Sequence, residues 1–287
     1  MPDCSAAQAS PGGENHLDGT TPFEKEFDMY DKPSAPAGIG GVLDDGFKLF
    51  RACFTQVVGL AILASLISQI PSLVMTSAID ADGVPQLGAG VGIAALVGML
   101  LSVVLFGALV SRIHLIHEGR SPSLGDSLNA GLACMLPLLG SMILYGLAVA
   151  VGMVLLIVPG LIVMVSLMFA PYIVVTEGAG VIESLRRSHQ LVWGHWWRTS
   201  ALVGIAGFIL MVAYVLIALV AGVLMFANPD ALEPGGFSVT QTVLTAVLGG
   251  LLTPLFYTLF MAAYYDLKLR REGDDLADRI DAQPASA

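Results

Sequence analysis

The sequence predicts an all-α polytopic membrane protein: six transmembrane helices, with three amphipathic helices lying along the cytoplasmic face. Three observations carry that fold class. First, 55% of the 287 residues are hydrophobic and 13% are charged, about half the charged share of an ordinary soluble domain. Mean hydropathy is +0.78, so the apolar side chains exceed what one core can hold and a bilayer must solvate them. Second, six apolar stretches have roughly the 20-residue length that crosses about 30 Å of hydrocarbon at 1.5 Å per residue. Third, every Lys and Arg lies on the same side of those stretches when they are threaded back and forth.

Residues 1–40 are expected to be a disordered acidic tail. Asp3, Glu14, Asp18, Glu24, Glu26, Asp28 and Asp31 outnumber Lys25 and Lys32, and Pro, Gly and Ser are scattered throughout. Such a segment buries too little apolar surface to offset its ordering entropy. It lacks a basic region followed by an apolar one, so no cleavable signal peptide is expected. The first hydrophobic stretch then serves as the anchor.

The membrane domain is assigned to residues 41–271, with spans over Val57–Ser77, Val91–Ile113, Pro137–Val158, Leu161–Thr176, Thr199–Phe226 and Thr240–Tyr265. In "LLIVPGLIV", Pro159 and Gly160 are expected to stop the third helix and start the fourth. Pro71, Pro171 and Pro254 fall in or near span ends, where they can kink a helix. Residues 272–287 read as a second disordered tail. Basic residues stay on the cytoplasmic side of short loops. Lys48 and Arg51 precede span one; Arg112 and Arg120 follow span two; Arg186, Arg187 and Arg198 follow span four; Lys268, Arg270 and Arg271 follow span six. The opposite loops hold Asp80, Asp82, Asp230 and Glu233. Both termini are therefore expected in the cytoplasm.

Three segments share a plan, beginning at Leu43, Leu124 and Val181. Each opens with acids and leads through an amphipathic stretch into a span. Leu43, Phe47, Phe50 and Phe54 make one face in the first, and Leu124, Leu128, Leu132 and Met135 in the second, where Ser123 is placed to cap the helix. In the third, Ile182, Leu185, His189, Val192, Trp193 and Trp196 form the stripe. A threefold repeat of interfacial helix plus two-span hairpin is one reading; shared physical constraint is the other.

The third segment, "ESLRRSHQLVWGHWWR", contains all the tryptophans of the chain. Indole suits the membrane interface, and a basic face suits lipid phosphates. Arg186, Arg187, Arg198, Trp193, Trp196 and Trp197 are the candidate contact residues, either as a generic anchor or as a headgroup or partner site. Nucleic acid is excluded as a partner: the net charge is −10 and phosphate backbones demand a basic surface. His114 and His117 share a helix face, as zinc ligands can, yet no HExxH motif or cysteine pair accompanies them. They read as interfacial histidines, and neither metal nor cofactor is expected. Cys4, Cys53 and Cys134 form no disulfide framework. No GxSxG elbow or other nucleophile motif is present. Within the spans the polar groups are hydroxyls such as Tyr145, Ser166 and Tyr257, which argues against a carboxylate proton relay.

At "LLIVPGLIVMVSLMFAPYIVVTEGAGVIESLRRSHQLVWGHWWR" and "AAYYDLKLRREGDDL" the chain resembles the YciC-like bacterial inner-membrane proteins and the related membrane domain of glycerophosphoryl diester phosphodiesterases. The matching positions are Val158–Gly160, Ala170–Pro171, Glu177, the block from Glu183 to Arg198, and the close beginning at Ala262. The resemblance implies a multi-pass protein of the bacterial inner membrane. It does not bring phosphodiesterase activity, because the family's catalytic domain is a separate soluble barrel for which this chain has no room. Some members also carry an arginine in the span after the Pro-Gly turn, where this chain offers Ser166. The function expected is non-enzymatic organisation of membrane lipids, partner membrane proteins or further copies of itself. The alternative is a transporter or flippase for an apolar or lipid-like substrate, which a hydroxyl-lined cavity near Tyr145, Ser166 and Tyr257 would favour.

Overall fold

A computed structural model describes residues 33–70, 88–226 and 239–281. The acidic loops predicted around Asp80 and Asp230, Pro71, and most of the predicted N-terminal tail lie outside the described residues. Within them the helices are α1 (Ile39–Ser68), α2 (Ala89–His117), α3 (Leu124–Ala133), α4 (Met135–Leu155), α5 (Ile157–Leu167), α6 (Ala170–Glu177), α7 (Val181–Val192), α8 (Trp196–Phe226) and α9 (Val239–Asp281). Six candidate transmembrane helices result: α1, α2, α4, α5 continued by α6, α8 and α9.

Several boundaries correct the sequence reading. Residues 33–38 are placed against the bundle, and α1 starts at Ile39, so the tail ends earlier than residue 40. The first amphipathic segment is the beginning of α1, not a separate helix, whereas the second and third are the short helices α3 and α7. The three expected units therefore differ in build. Residues 272–281, expected to be tail, continue α9.

The turn between the third and fourth spans also moves. The break falls at Leu156, in extended backbone (φ −167°, ψ 148°), one turn before the position expected from Pro159 and Gly160. Pro159 instead sits in the first turn of α5, where backbone N–H groups have no helical acceptor and none is missed. Gly160 serves packing. A Cβ on Gly152 would lie 2.9 Å from the Gly160 Cα, and one on Gly160 would meet Met153 at 2.6 Å. The two glycines let α4 and α5 close into a tight hairpin. Its apex carries only apolar residues, Val154 to Val158, all largely exposed, which is why hydropathy could not locate the break.

Leu49, Cys53 and Val57 of α1, Leu109 and Ile113 of α2, Phe169 and Ile173 around α6, and Met261 and Tyr264 of α9 make the core. The longest helix pairing is α1 with α9. Gly46 faces Leu259 and Gly250 faces Ile62, both closer than a Cβ would allow. Pro254 lies inside α9. Pro171 occupies the first turn of α6, where the chain restarts after a break at Met168 and Phe169. Ser123 caps α3 as its position suggests: its Oγ accepts from the Asp126 N–H at 3.1 Å, and the Asp126 carboxylate accepts from the Ser123 N–H at 3.2 Å. Cys53 is a free, buried thiol. Cys134 is disulfide-bonded, a pairing for which its spacing supplied no signal.

Candidate functional site

One end of the bundle gathers the charged residues. The segment before α1, the ends of α2 and α6, all of α7, the start of α8 and the later part of α9 meet there. These are the stretches that the charge pattern assigned to one side of the membrane.

The break in the fourth span is held from α7. Where α5 ends and α6 begins, the helical ladder leaves backbone groups without helical partners, and in a bilayer they must be satisfied by protein. Ser188 does this twice: its Oγ accepts from the Phe169 N–H at 3.2 Å and donates to the Ser166 carbonyl at 2.9 Å. Ser184, Ser188 and Val192 form the buried face of α7. Small hydroxyl residues allow the helix to lie close against its neighbours. Of the apolar stripe expected from the sequence, Val192 is buried and Trp196 packs against the core. Ile182, Arg186, His189 and Trp193 follow at i, i+4, i+7 and i+11, one helical face, and all four are exposed. Ile182 is 75% and Trp193 59% exposed.

The helix ends at Val192, and the chain turns through Trp193, Gly194 and His195. Gly194 has φ 98°, a left-handed backbone that a side chain would strain. Trp196 and Trp197 then open α8. Trp196 packs against the core, whereas Trp197 is 81% exposed. The six candidate residues are therefore split between two helices and the turn that joins them, and between two environments.

The three arginines divide in the same way. Among the described residues Arg186 pairs only with Glu183, at 2.7 Å, on the surface. Arg187 bridges Glu183 at 2.7 Å and Glu177 at 2.8 Å. Hydrogen bonds from Arg186 and Arg187 hold the Glu183 carboxyl below its ordinary range. Glu177 also accepts from Tyr264 Oη at 2.6 Å and Lys268 Nζ at 3.0 Å, joining α6 to α9. Arg198 is structural. Its Nη2 donates to the Ala37 carbonyl at 2.6 Å and to Asp266 at 2.9 Å. Arg270 donates to the same two acceptors, at 2.6 and 3.0 Å, and the Ala37 N–H donates to Asp266 at 2.9 Å. Asp266 is thus the hub that ties residues 33–38 to α8 and α9. Sequence reading assigned no role to it, and marked Glu177 only as a position of the family resemblance. The available signal was a carboxylate inside an otherwise basic, apolar helix end, a position where an unpaired charge is costly.

Arg112, at the end of the second predicted span, lies within α2, buried and donating to Ser127 Oγ of α3 at 3.3 Å. His114 bonds the Tyr265 hydroxyl, and His117 stacks on the same ring with centroids 3.9 Å apart. His189 packs on Trp193 instead. Among the described residues no group of three or more His, Cys, Asp or Glu side chains is arranged to hold a metal ion. Tyr145 donates to the Met164 carbonyl at 3.3 Å, Ser166 is buried, and Tyr257 lies edge-on to Phe106 and Phe256.

Comparison with known proteins agrees with this architecture. The model of the uncharacterised protein family UPF0259 matches residues 86–261. A UPF0259 membrane protein of Serratia proteamaculans is 25% identical over 248 residues, covering 76% of this chain and 94% of its own length. One from Pectobacterium carotovorum is 29% identical over 168 residues, 58% of this chain and 62% of the relative. Another, from Yersinia pestis, is 31% identical over 101 residues, 35% of this chain and 38% of its own. The match thus spans less than two thirds of the Pectobacterium and Yersinia relatives. Their names indicate no catalytic activity. No solved structure matches. The chain belongs to the UPF0259 family of bacterial membrane proteins.

Proposed function

We propose that the protein is a non-enzymatic, multi-pass component of the bacterial inner membrane that organises lipid at the cytoplasmic leaflet, with both termini in the cytoplasm. The observation that carries this reading is the exposed face of α7, Ile182, Arg186, His189 and Trp193, continued by Trp197. Full burial of one large apolar side chain contributes about 1.5–3 kcal/mol. Leaving these residues in water would forfeit several such contributions, whereas the interfacial zone of a bilayer accepts both the indoles and the arginine. Orientation follows from the basic residues at the charged end. The Tyr145 hydroxyl is bonded to the Met164 carbonyl and the Tyr257 ring is packed edge-on against Phe106, which weighs against transport.

Arg187 and Arg198 also hold the bundle together, so Arg186 is the clean charge to remove. Arg186→Gln combined with Trp193→Ala and Trp197→Ala is expected to lower several-fold the lipid that co-purifies from native membranes, as measured by mass spectrometry. Unchanged lipid recovery from a folded triple variant would overturn the reading.

A further inference from the structure

We infer that a cleft between α6, α7 and α9 binds the phosphate of an anionic phospholipid headgroup; this rests on the lipid-organising reading and deepens it. The cleft has a volume of about 150 Å³ and presents Arg187, Gln190, Lys268 and Arg271, with Ile173 and Leu191 as its apolar part. Glu177 is the one carboxylate in its lining, and its oxygens are already taken by Tyr264, Lys268 and Arg187. Those bonds hold Lys268 and Arg187 in place around the cleft. Arg271 makes no ion pair among the described residues. Three cations thus line the cleft beside one carboxylate; Glu183, outside the lining, answers Arg187, so a positive excess remains at Lys268 and Arg271 that an anion would balance. A guanidinium fork matches phosphate oxygens two at a time, and an ammonium adds a point charge.

A phosphate could come from a lipid or from solution, and the surroundings favour the lipid. Ile173 is part of the core and Leu191 packs against it, so the cleft has an apolar side against which a glycerol backbone and upper acyl chain can lie. Basic pockets between membrane helices on the cytoplasmic side are suited to headgroups. Arg187 and Gln190 are borne on the helix that also carries Ile182 and that ends beside Trp193. A neighbouring cavity of about 160 Å³ shares Glu177, Tyr264 and Lys268 but adds Glu118 and Glu272. Its acidity makes it a poorer host for an anion.

The test is titration of the full-length protein in detergent with phosphatidylglycerol, phosphatidylcholine or inorganic phosphate, read by native mass spectrometry. Arg271→Gln removes a cation that makes no ion pair among the described residues, and Lys48→Gln removes an exposed cation from α1, outside the cleft, as control. The expected result is a preference for phosphatidylglycerol that Arg271→Gln weakens about tenfold, the size of one charge-assisted hydrogen bond, and Lys48→Gln leaves unchanged. An unchanged preference in Arg271→Gln, or an equal loss in Lys48→Gln, overturns the cleft and leaves the broader reading standing. No preference in the wild-type protein overturns both. Inorganic phosphate binding that Arg271→Gln abolishes, without lipid preference, overturns the lipid assignment in favour of free phosphate.

Discussion

Arg186 and Arg198 belong to one basic and aromatic block, yet they end in opposite circumstances. Arg186 stands on the outer face of α7 with one surface partner. Arg198 is drawn into a clamp with Asp266, Arg270 and the Ala37 backbone. The contrast teaches that basic residues beside tryptophans need not share a role. A surface pair contributes about 0–1 kcal/mol, whereas breaking a buried ionic network costs about 3–5 kcal/mol because a charge is left uncompensated. The same block thus supplies a contact surface and a structural staple.

The contrast breaks most directly at Asp266. Asp266→Ala leaves Arg198 and Arg270 without their carboxylate and is expected to destabilise the protein by about 3–5 kcal/mol. Arg186→Gln should stay within about 0.5 kcal/mol of the parent. Equal thermal stability of the two variants in detergent would remove the distinction between clamp and surface.

The buried side of α7 gives the next effect. Ser188→Ala deprives the Phe169 N–H and the Ser166 carbonyl of their partner and should cost about 1–3 kcal/mol. The loss should appear as faster amide exchange around residues 166–170. A protected Phe169 amide in that variant would show that α7 does not brace the broken span.

The smallest effect concerns Glu183. Its carboxyl is held below the ordinary value of 4.5 by Arg186 and Arg187. Its stabilising contribution is therefore fully present above about pH 4.5 and fades as pH falls through the lowered value. Glu183→Gln should narrow the stability difference between neutral and acidic pH, measured by thermal melts; an identical pH profile would count against the pairing.

Hydropathy and charge order made the class of fold legible without coordinates. Six stretches of crossing length and the one-sided placement of Lys and Arg are local properties, and each helix answers to the bilayer by itself. Ser123 could be read for the same reason, since a capping residue acts on its own first turn. The fused first helix, the break at Leu156 and the serine face of α7 were not legible. Helix continuity and close approach depend on what packs alongside: Gly152 against Gly160, Ser188 against Phe169. The candidate site was half visible. Ile182, Arg186, Trp193 and Trp197 could be picked out by type and spacing.

By itself the sequence determined that this is a multi-span helical membrane protein with its basic residues at one end, because solvent preference is written residue by residue. Only the tertiary structure decided which charges are spent on the fold and which remain for a partner. Asp266 meets Arg198 and Ala37, and Glu177 meets Arg187 and Lys268, across long separations in the chain. Ionic pairing depends on distance in space, and no local pattern encodes it.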